Sequence, residues 1–178
     1  MKKVLLTAAA VFAFGFANAQ ADGVKFGVKA GVQFTNFTGD VENSDGATGF
    51  FVGGLVDLGI AGNFHVQPEL MYSQEGADKA SISYIRIPVM AKYYVIQGLS
   101  LQAGPELAFK VAAEDDFTDN ATKSMDFGLG IGAGYELPMG LMFDLRYNLG
   151  LSNIADNDFT GGADIKNTGV QLGVGYRF

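Results

Sequence analysis

Hydrophobicity in this chain repeats every second residue, and it does so up to the last position. In Asn167–Phe178 the side chains of Val170, Leu172, Val174, Tyr176 and Phe178 share one parity, and Gly169, Gln171, Gly173, Gly175 and Arg177 share the other. A period of two puts alternate side chains on opposite faces of a strand. One face is continuously oily, while the other combines glycine with hydrogen-bonding groups. Lipid is the natural solvent of the first and a barrel lumen the natural neighbour of the second.

Eight segments carry this pattern. The first sets Val24, Phe26, Val28, Ala30, Val32 and Phe34 against Lys25, Gly27, Lys29, Gly31 and Gln33. The second, Phe50–Leu58, alternates least clearly, with Phe51, Gly53, Leu55 and Asp57 on the polar parity. The third runs Phe64–Ser73, the fourth Tyr84–Val95, the fifth Leu99–Val111, the sixth Met125–Leu137, the seventh Leu141–Ser152 and the eighth to Phe178. Each offers the roughly 9–11 residues that a tilted strand needs to cross a bilayer. Pro68 and Pro88 fall inside two of them, where a missing N–H interrupts a ladder. Connections alternate between short (59–63, 96–98, 138–140) and long (38–49, 74–82, 114–123, 153–165). Short periplasmic turns and long outer loops predict an all-β, eight-stranded antiparallel up-and-down transmembrane barrel with both ends on the periplasmic side.

Residues 1–19 stand apart. Lys2 and Lys3 precede an apolar run that ends in Ala17-Asn18-Ala19, the pattern of a cleaved secretory signal. The predicted organisation is a signal peptide over 1–19 and one barrel domain over 20–178. The longest stretch free of charged residues after the signal is Tyr93–Pro105, interrupted by Gln97, Ser100 and Gln102, too short and too polar for a spanning helix. The chain contains no cysteine, which excludes disulfides, thiolate metal sites and a lipidated cysteine. Beyond the signal, 10 basic residues face 19 acidic ones. That balance argues against nucleic acid or anionic lipid as a general partner.

The charges obey the strand parity. Lys25, Lys29, Arg86, Lys92, Lys110, Arg146 and Arg177 lie on the polar face together with Asp57, Glu69, Glu106, Asp126, Glu136 and Asp144. Of the remaining thirteen acids, twelve fall in the four long connections. A soluble barrel would turn the oily parity inward, but an eight-stranded bore is only wide enough for side chains to fill it. The dense Phe, Tyr, Leu, Ile and Val series therefore belongs outside, and glycines 128, 130, 132 and 134 leave inner space for long charged side chains. Buried charges without partners cost several kcal/mol, so these cations and anions are expected to pair into a plug. Aromatic residues of the oily parity near segment ends suit interfacial belts: Phe64, Tyr93, Tyr135, Phe143, Tyr176 and Phe178 towards one rim, Phe34, Phe50, Tyr72 and Tyr147 towards the other.

Three quoted stretches carry a family resemblance: Ala17-Asn18-Ala19-Gln20, then Phe26-Gly27-Val28-Lys29-Ala30-Gly31-Val32 with Asn36-Phe37, and Gly173-Val174-Gly175-Tyr176-Arg177-Phe178. With them the chain resembles the small porin-family outer-membrane β-barrel domains of Gram-negative bacteria, the eight-stranded outer membrane protein A/X-like barrels. The resemblance implies outer-membrane localisation and implies that Tyr176 and Phe178 form the terminal signal read by the barrel-assembly machinery. It supplies no catalytic residues.

Other chemistry is poorly served. Gly128-Leu-Gly-Ile-Gly-Ala133 matches a relaxed dinucleotide fingerprint, but its glycines repeat within a strand and open no helix. Asp156 and Asp158 reproduce two positions of a calcium loop, yet Asn167 stands where the bidentate glutamate belongs. No cofactor is expected. His65, the one histidine, sits on the polar parity near a short turn, where packing or pairing with Glu69 is expected. A lipid-modifying enzyme would place its acid, base or nucleophile near the outer leaflet, and Ser73 and Ser152, nearer that rim, lack a histidine. The reading is a non-enzymatic outer-membrane protein with a structural, anchoring or surface-interaction role. Its partners would be outer-membrane lipid and lipopolysaccharide, and a surface partner met through acidic loops such as Glu114-Asp115-Asp116 with Asp119. The alternative is a narrow porin-like channel for small solutes.

Overall fold

The computed structural model describes residues 23–39, 46–77, 80–113, 125–152 and 165–178. The leader, the acidic stretch 114–119, Asp156 and Asp158 lie outside the described residues. Eight strands follow in order: β1 (Val24–Gly39), β2 (Ala47–Ala61), β3 (Phe64–Ala77), β4 (Ala80–Ile96), β5 (Leu99–Ala113), β6 (Met125–Glu136), β7 (Leu141–Gly150) and β8 (Ile165–Arg177). Each pairs antiparallel with its neighbours in sequence, and β1 pairs with β8 from Gly27↔Arg177 to Gly39↔Ile165. The sheet therefore closes on itself as an eight-stranded barrel and leaves no edge along that seam.

Three short turns close one end, and each contains a glycine in the left-handed region: Gly62, Gly98 and Gly140, at φ of 53°, 83° and 91°. A side chain bearing Cβ is strained there. At the opposite, loop end the strands run further than the hydrophobic alternation. β1 extends five residues past Phe34, and β3 and β4 continue to the pairing Ala77↔Ala80. The long connection expected over 74–82 is thus largely a hairpin ladder. There the regular apolar/polar alternation of the sequence stops while backbone pairing continues.

The prolines leave their mark on the ladders. The β2–β3 register passes from Leu55↔Glu69 to Leu58↔Val66, skipping Pro68, the β3–β4 register passes from Pro68↔Val89 to Met71↔Arg86, skipping Pro88, and the β4–β5 register passes from Pro88↔Glu106 to Ala91↔Ala103, skipping Pro105. A residue without an N–H cannot complete its rung.

Burial alternates as the parity predicts. Leu172 is 47% exposed and Gln171 6%. The exterior is apolar, with Phe50 and Tyr72 in ring contact near the loop end and Tyr176 against Phe178 near the turn end. The interior differs from the expected mixture of small and charged residues. Phe51, Leu55, Met71, Ile82, Tyr84, Met90 and Met142 are also buried, and Ile82, Tyr84 and Ala108 cluster together. Glycines make room for Phe51: an added Cβ would approach Phe51 Cζ to 2.7 Å from Gly31 and to 3.1 Å from Gly173. One wall of bare glycine receives the ring projecting from the other.

Candidate functional site

The bore is crossed at mid-height by side chains from alternate strands: Lys29 of β1, Glu69 of β3, Gln102 and Glu106 of β5, and Asp144 and Arg146 of β7. Arg146 is 1% exposed along its side chain. Its guanidinium grips Glu69 in a fork, Nη1 donating to Oε2 at 3.1 Å and Nη2 to Oε1 at 2.8 Å. A planar donor pair matched to a carboxylate is the strongest geometry available to such groups. Nη2 also donates to Gln102 Oε1 at 3.2 Å, and Nη1 lies 3.6 Å from Glu106 Oε1. Lys29 Nζ reaches Glu69 at 3.1 Å and Asp144 at 3.2 Å, Gln102 donates to Asp144, and Arg86 pairs with Glu106 at 3.0 Å. Three cations meet three anions, so the cluster is neutral.

Space for these long side chains comes from the glycine strand. An added Cβ on Gly130 would lie 2.6 Å from Glu106 Oε1 and 3.1 Å from Arg146 Cδ.

A second cluster fills the turn end. Asp57 Oδ2 accepts from Lys92 Nζ and from Arg177 Nη1, both at 3.3 Å, and its Oδ1 contacts His65 Nδ1. Arg177 also pairs with Glu136. Tyr94 donates its hydroxyl proton to Glu136 Oε2 at 3.0 Å while accepting from Lys92 at 3.3 Å. Gln67 joins the two clusters, its Oε1 accepting from Lys92 at 2.8 Å and its Nε2 donating to Glu69 at 2.7 Å. Between them lies a cavity of about 20 Å³ lined by Lys29, Gln67, Lys92, Gln102 and Asp144 among others. That is room for about one water molecule.

Towards the loop end, Gln171 donates to Gln33 Oε1 at 2.9 Å, Gln33 donates to the Gln74 carbonyl at 2.7 Å, and Ser152 donates to Asp126 at 2.6 Å.

Of the thirteen charged residues assigned to the lumen, ten fall into the two clusters. Asp126 is buried nearer the loop end, and Lys110 is half-buried at that level. Lys25, the Cα partner of Asp57, is exposed and makes no ion pair among the described residues. His65 pairs with Asp57, not with Glu69, and sets its ring edge against Tyr94 at a centroid distance of 4.9 Å. The bridging roles of Gln67, Gln102 and Tyr94 were not anticipated. Their signal was present, since all three share the parity of the charges. Gly128–Ala133 lies wholly within β6, as a strand and not a helix-opening loop. Tyr176 and Phe178 point outward, 44% and 59% exposed.

A closed eight-stranded barrel with an oily exterior and a salt-bridged interior defines a membrane-spanning β-barrel protein. Residues 16–156 match the outer membrane protein beta-barrel domain family, and the chain belongs to it. Among solved structures it is similar to Ail, the attachment invasion locus protein of Yersinia pestis, at 16% identity and a TM-score of 0.56, covering 89% of this chain and 100% of that one. It is similar also to NspA, Neisserial surface protein A, at 14% identity and a TM-score of 0.56, covering 88% of this chain and 100% of that one. At such identities the likeness is one of fold. No curated protein sequence matches the chain.

Proposed function

We propose that this protein is a non-enzymatic, solute-tight anchor of the outer membrane, whose barrel holds acidic loops at the cell surface for envelope integrity or contact with a basic partner. In this reading residues 1–19 are removed on export, the short turns face the periplasm, and Tyr176 and Phe178 address the chain to the assembly machinery. The observation that carries it is the occupied bore: Arg146, Glu69, Lys29 and Asp144 meet across the axis, and the space beside them admits about one water. Opening a solute path would separate charges whose buried partners hold them, at several kcal/mol.

Liposome swelling tests this reading. Vesicles carrying the folded protein should remain as tight to small sugars and amino acids as empty vesicles. Rapid solute entry would instead establish the narrow porin-like channel. An enzyme working through His65 would be revealed by a lipid-modifying activity that His65→Ala abolishes; the reading predicts identical lipid profiles with and without the histidine.

A further inference from the structure

The outer wall of the barrel has a groove of about 340 Å³ where β2, β1, β8 and β7 approach the loop end. Its floor is apolar: Phe34, Val170 and Tyr147 lie in one cross-strand row through the registers Phe34↔Val170 and Tyr147↔Val170. All three face outward, at 36–49% exposure. One step towards the loop end the lining becomes polar, with Asn36 paired to Thr168, and Thr48 beside Phe34. One step further on the same face of β8 is Lys166, opposite Thr38. The groove thus runs from hydrocarbon-like to polar along the strand direction, as a membrane does at its surface.

Its donors are underused. Thr168 donates to the Asn36 carbonyl at 3.4 Å, but the Asn36 amide, the Thr48 hydroxyl and the Tyr147 hydroxyl make no hydrogen bond among the described residues. At the same level of the opposite wall, Tyr72 donates to Ser83 Oγ at 3.0 Å, so that boundary is satisfied internally. The idle donors sit on β1, β2 and β7. Four adjacent strands span three spacings of about 4.8 Å, roughly 14 Å in all. A single phosphate cannot reach across that width; a disaccharide can. Lys166 brings positive charge to the polar edge of a chain that is otherwise strongly acidic.

We propose that this groove binds a phosphorylated, acylated saccharide lipid of the outer leaflet: acyl chains along Phe34, Val170 and Tyr147, sugar oxygens on Asn36, Thr48 and Tyr147, and a phosphate towards Lys166. The proposal rests on the orientation given under Proposed function and assigns the site by which such an anchor would hold its leaflet.

The test is a titration of the full-length folded protein in detergent micelles by native mass spectrometry. The probes are lipid A (a diphosphorylated, acylated glucosamine disaccharide), phosphatidylglycerol of matched chain length, and deacylated lipid A. Lipid A should bind at least tenfold more tightly than either of the others. Asn36→Ala/Thr48→Ala/Tyr147→Phe should weaken lipid A binding at least tenfold, from the loss of three hydrogen bonds, and Tyr72→Phe/Ser83→Ala on the opposite wall should leave it unchanged. Heat-modifiable migration on gels reports folding for every variant, and Thr48→Ala alone, expected to weaken binding severalfold, carries the test should the triple variant fail to fold. Wild-type affinity in a folded groove variant, or equal binding of phosphatidylglycerol, overturns the proposal. Loss of the heat-modifiable band from the wild type would instead strike at the barrel reading beneath it.

Discussion

Arg146→Met removes one cation from a neutral, buried cluster and leaves Glu69, Glu106 and Asp144 facing only Lys29 and Arg86. The site is closed to water, Glu69 having no exposed side-chain surface and Glu106 2%. Breaking a buried pair from one side costs about 3–5 kcal/mol, because the orphaned charge stays desolvated. Arg146→Met/Glu69→Leu behaves differently. It removes one charge of each sign and leaves Lys29–Asp144 at 3.2 Å and Arg86–Glu106 at 3.0 Å as two balanced pairs. The double variant is therefore expected to be more stable than Arg146→Met alone, by about 2 kcal/mol on the scale of coupled neighbours. The loss of Gln67's acceptor on Glu69 moderates the recovery by about 1 kcal/mol. Equilibrium unfolding by urea in lipid vesicles, followed by tyrosine fluorescence and heat-modifiable migration, measures all four corners of the cycle. Additive losses from the two single variants would refute a charge-balanced plug, as would an Arg146→Met variant within about 1 kcal/mol of wild type.

Other consequences are simpler. Gly31→Ala forces a Cβ to within 2.0 Å of the Leu172 carbonyl and 2.7 Å of Phe51 Cζ; a destabilisation of about 1–3 kcal/mol, typical of overpacking, is expected in the same urea assay, against no measurable change for Lys25→Ala. Asp57→Ala leaves Lys92 without its ion-pair partner and Arg177 with Glu136 alone, beside His65, and should cost about 3–5 kcal/mol, with the turn end losing amide-exchange protection before the mid-bore cluster does. Phe178→Ala should lower the yield of assembled barrel in cells while leaving refolding of the purified chain in detergent intact, read as heat-modifiable band intensity in each case.

Inward and outward faces were legible because lipid and lumen impose opposite demands on alternate residues. Partner choice was less so, since it depends on register. His65 and Glu69 share a face of β3, but four residues along a strand separate them by about 13 Å. Asp57, eight residues back, folds beside His65 across the β2–β3 turn. The inward burial of Phe51 and Leu55 is obscured for a related reason: both lie in the segment whose two faces are nearly equally hydrophobic, and the packing of Phe51 against Gly31 and Gly173 follows only once β1 and β8 are paired. At the loop side the strands run past their sequence signal, because the ladder outlasts the apolar alternation that makes a strand visible.

The account rests on which face meets lipid. The absence of cysteine allows single spin labels to be introduced at positions 170, 171, 172 and 174 and read in vesicles by accessibility to oxygen and to a polar nickel complex. Labels at Val170, Leu172 and Val174 should be reached by oxygen and not by nickel, and the label at Gln171 by neither, as a period of two along β8 requires. High nickel accessibility at Val170, Leu172 and Val174, or an accessibility profile without alternation, would contradict a barrel with lipid outside and a closed polar bore within.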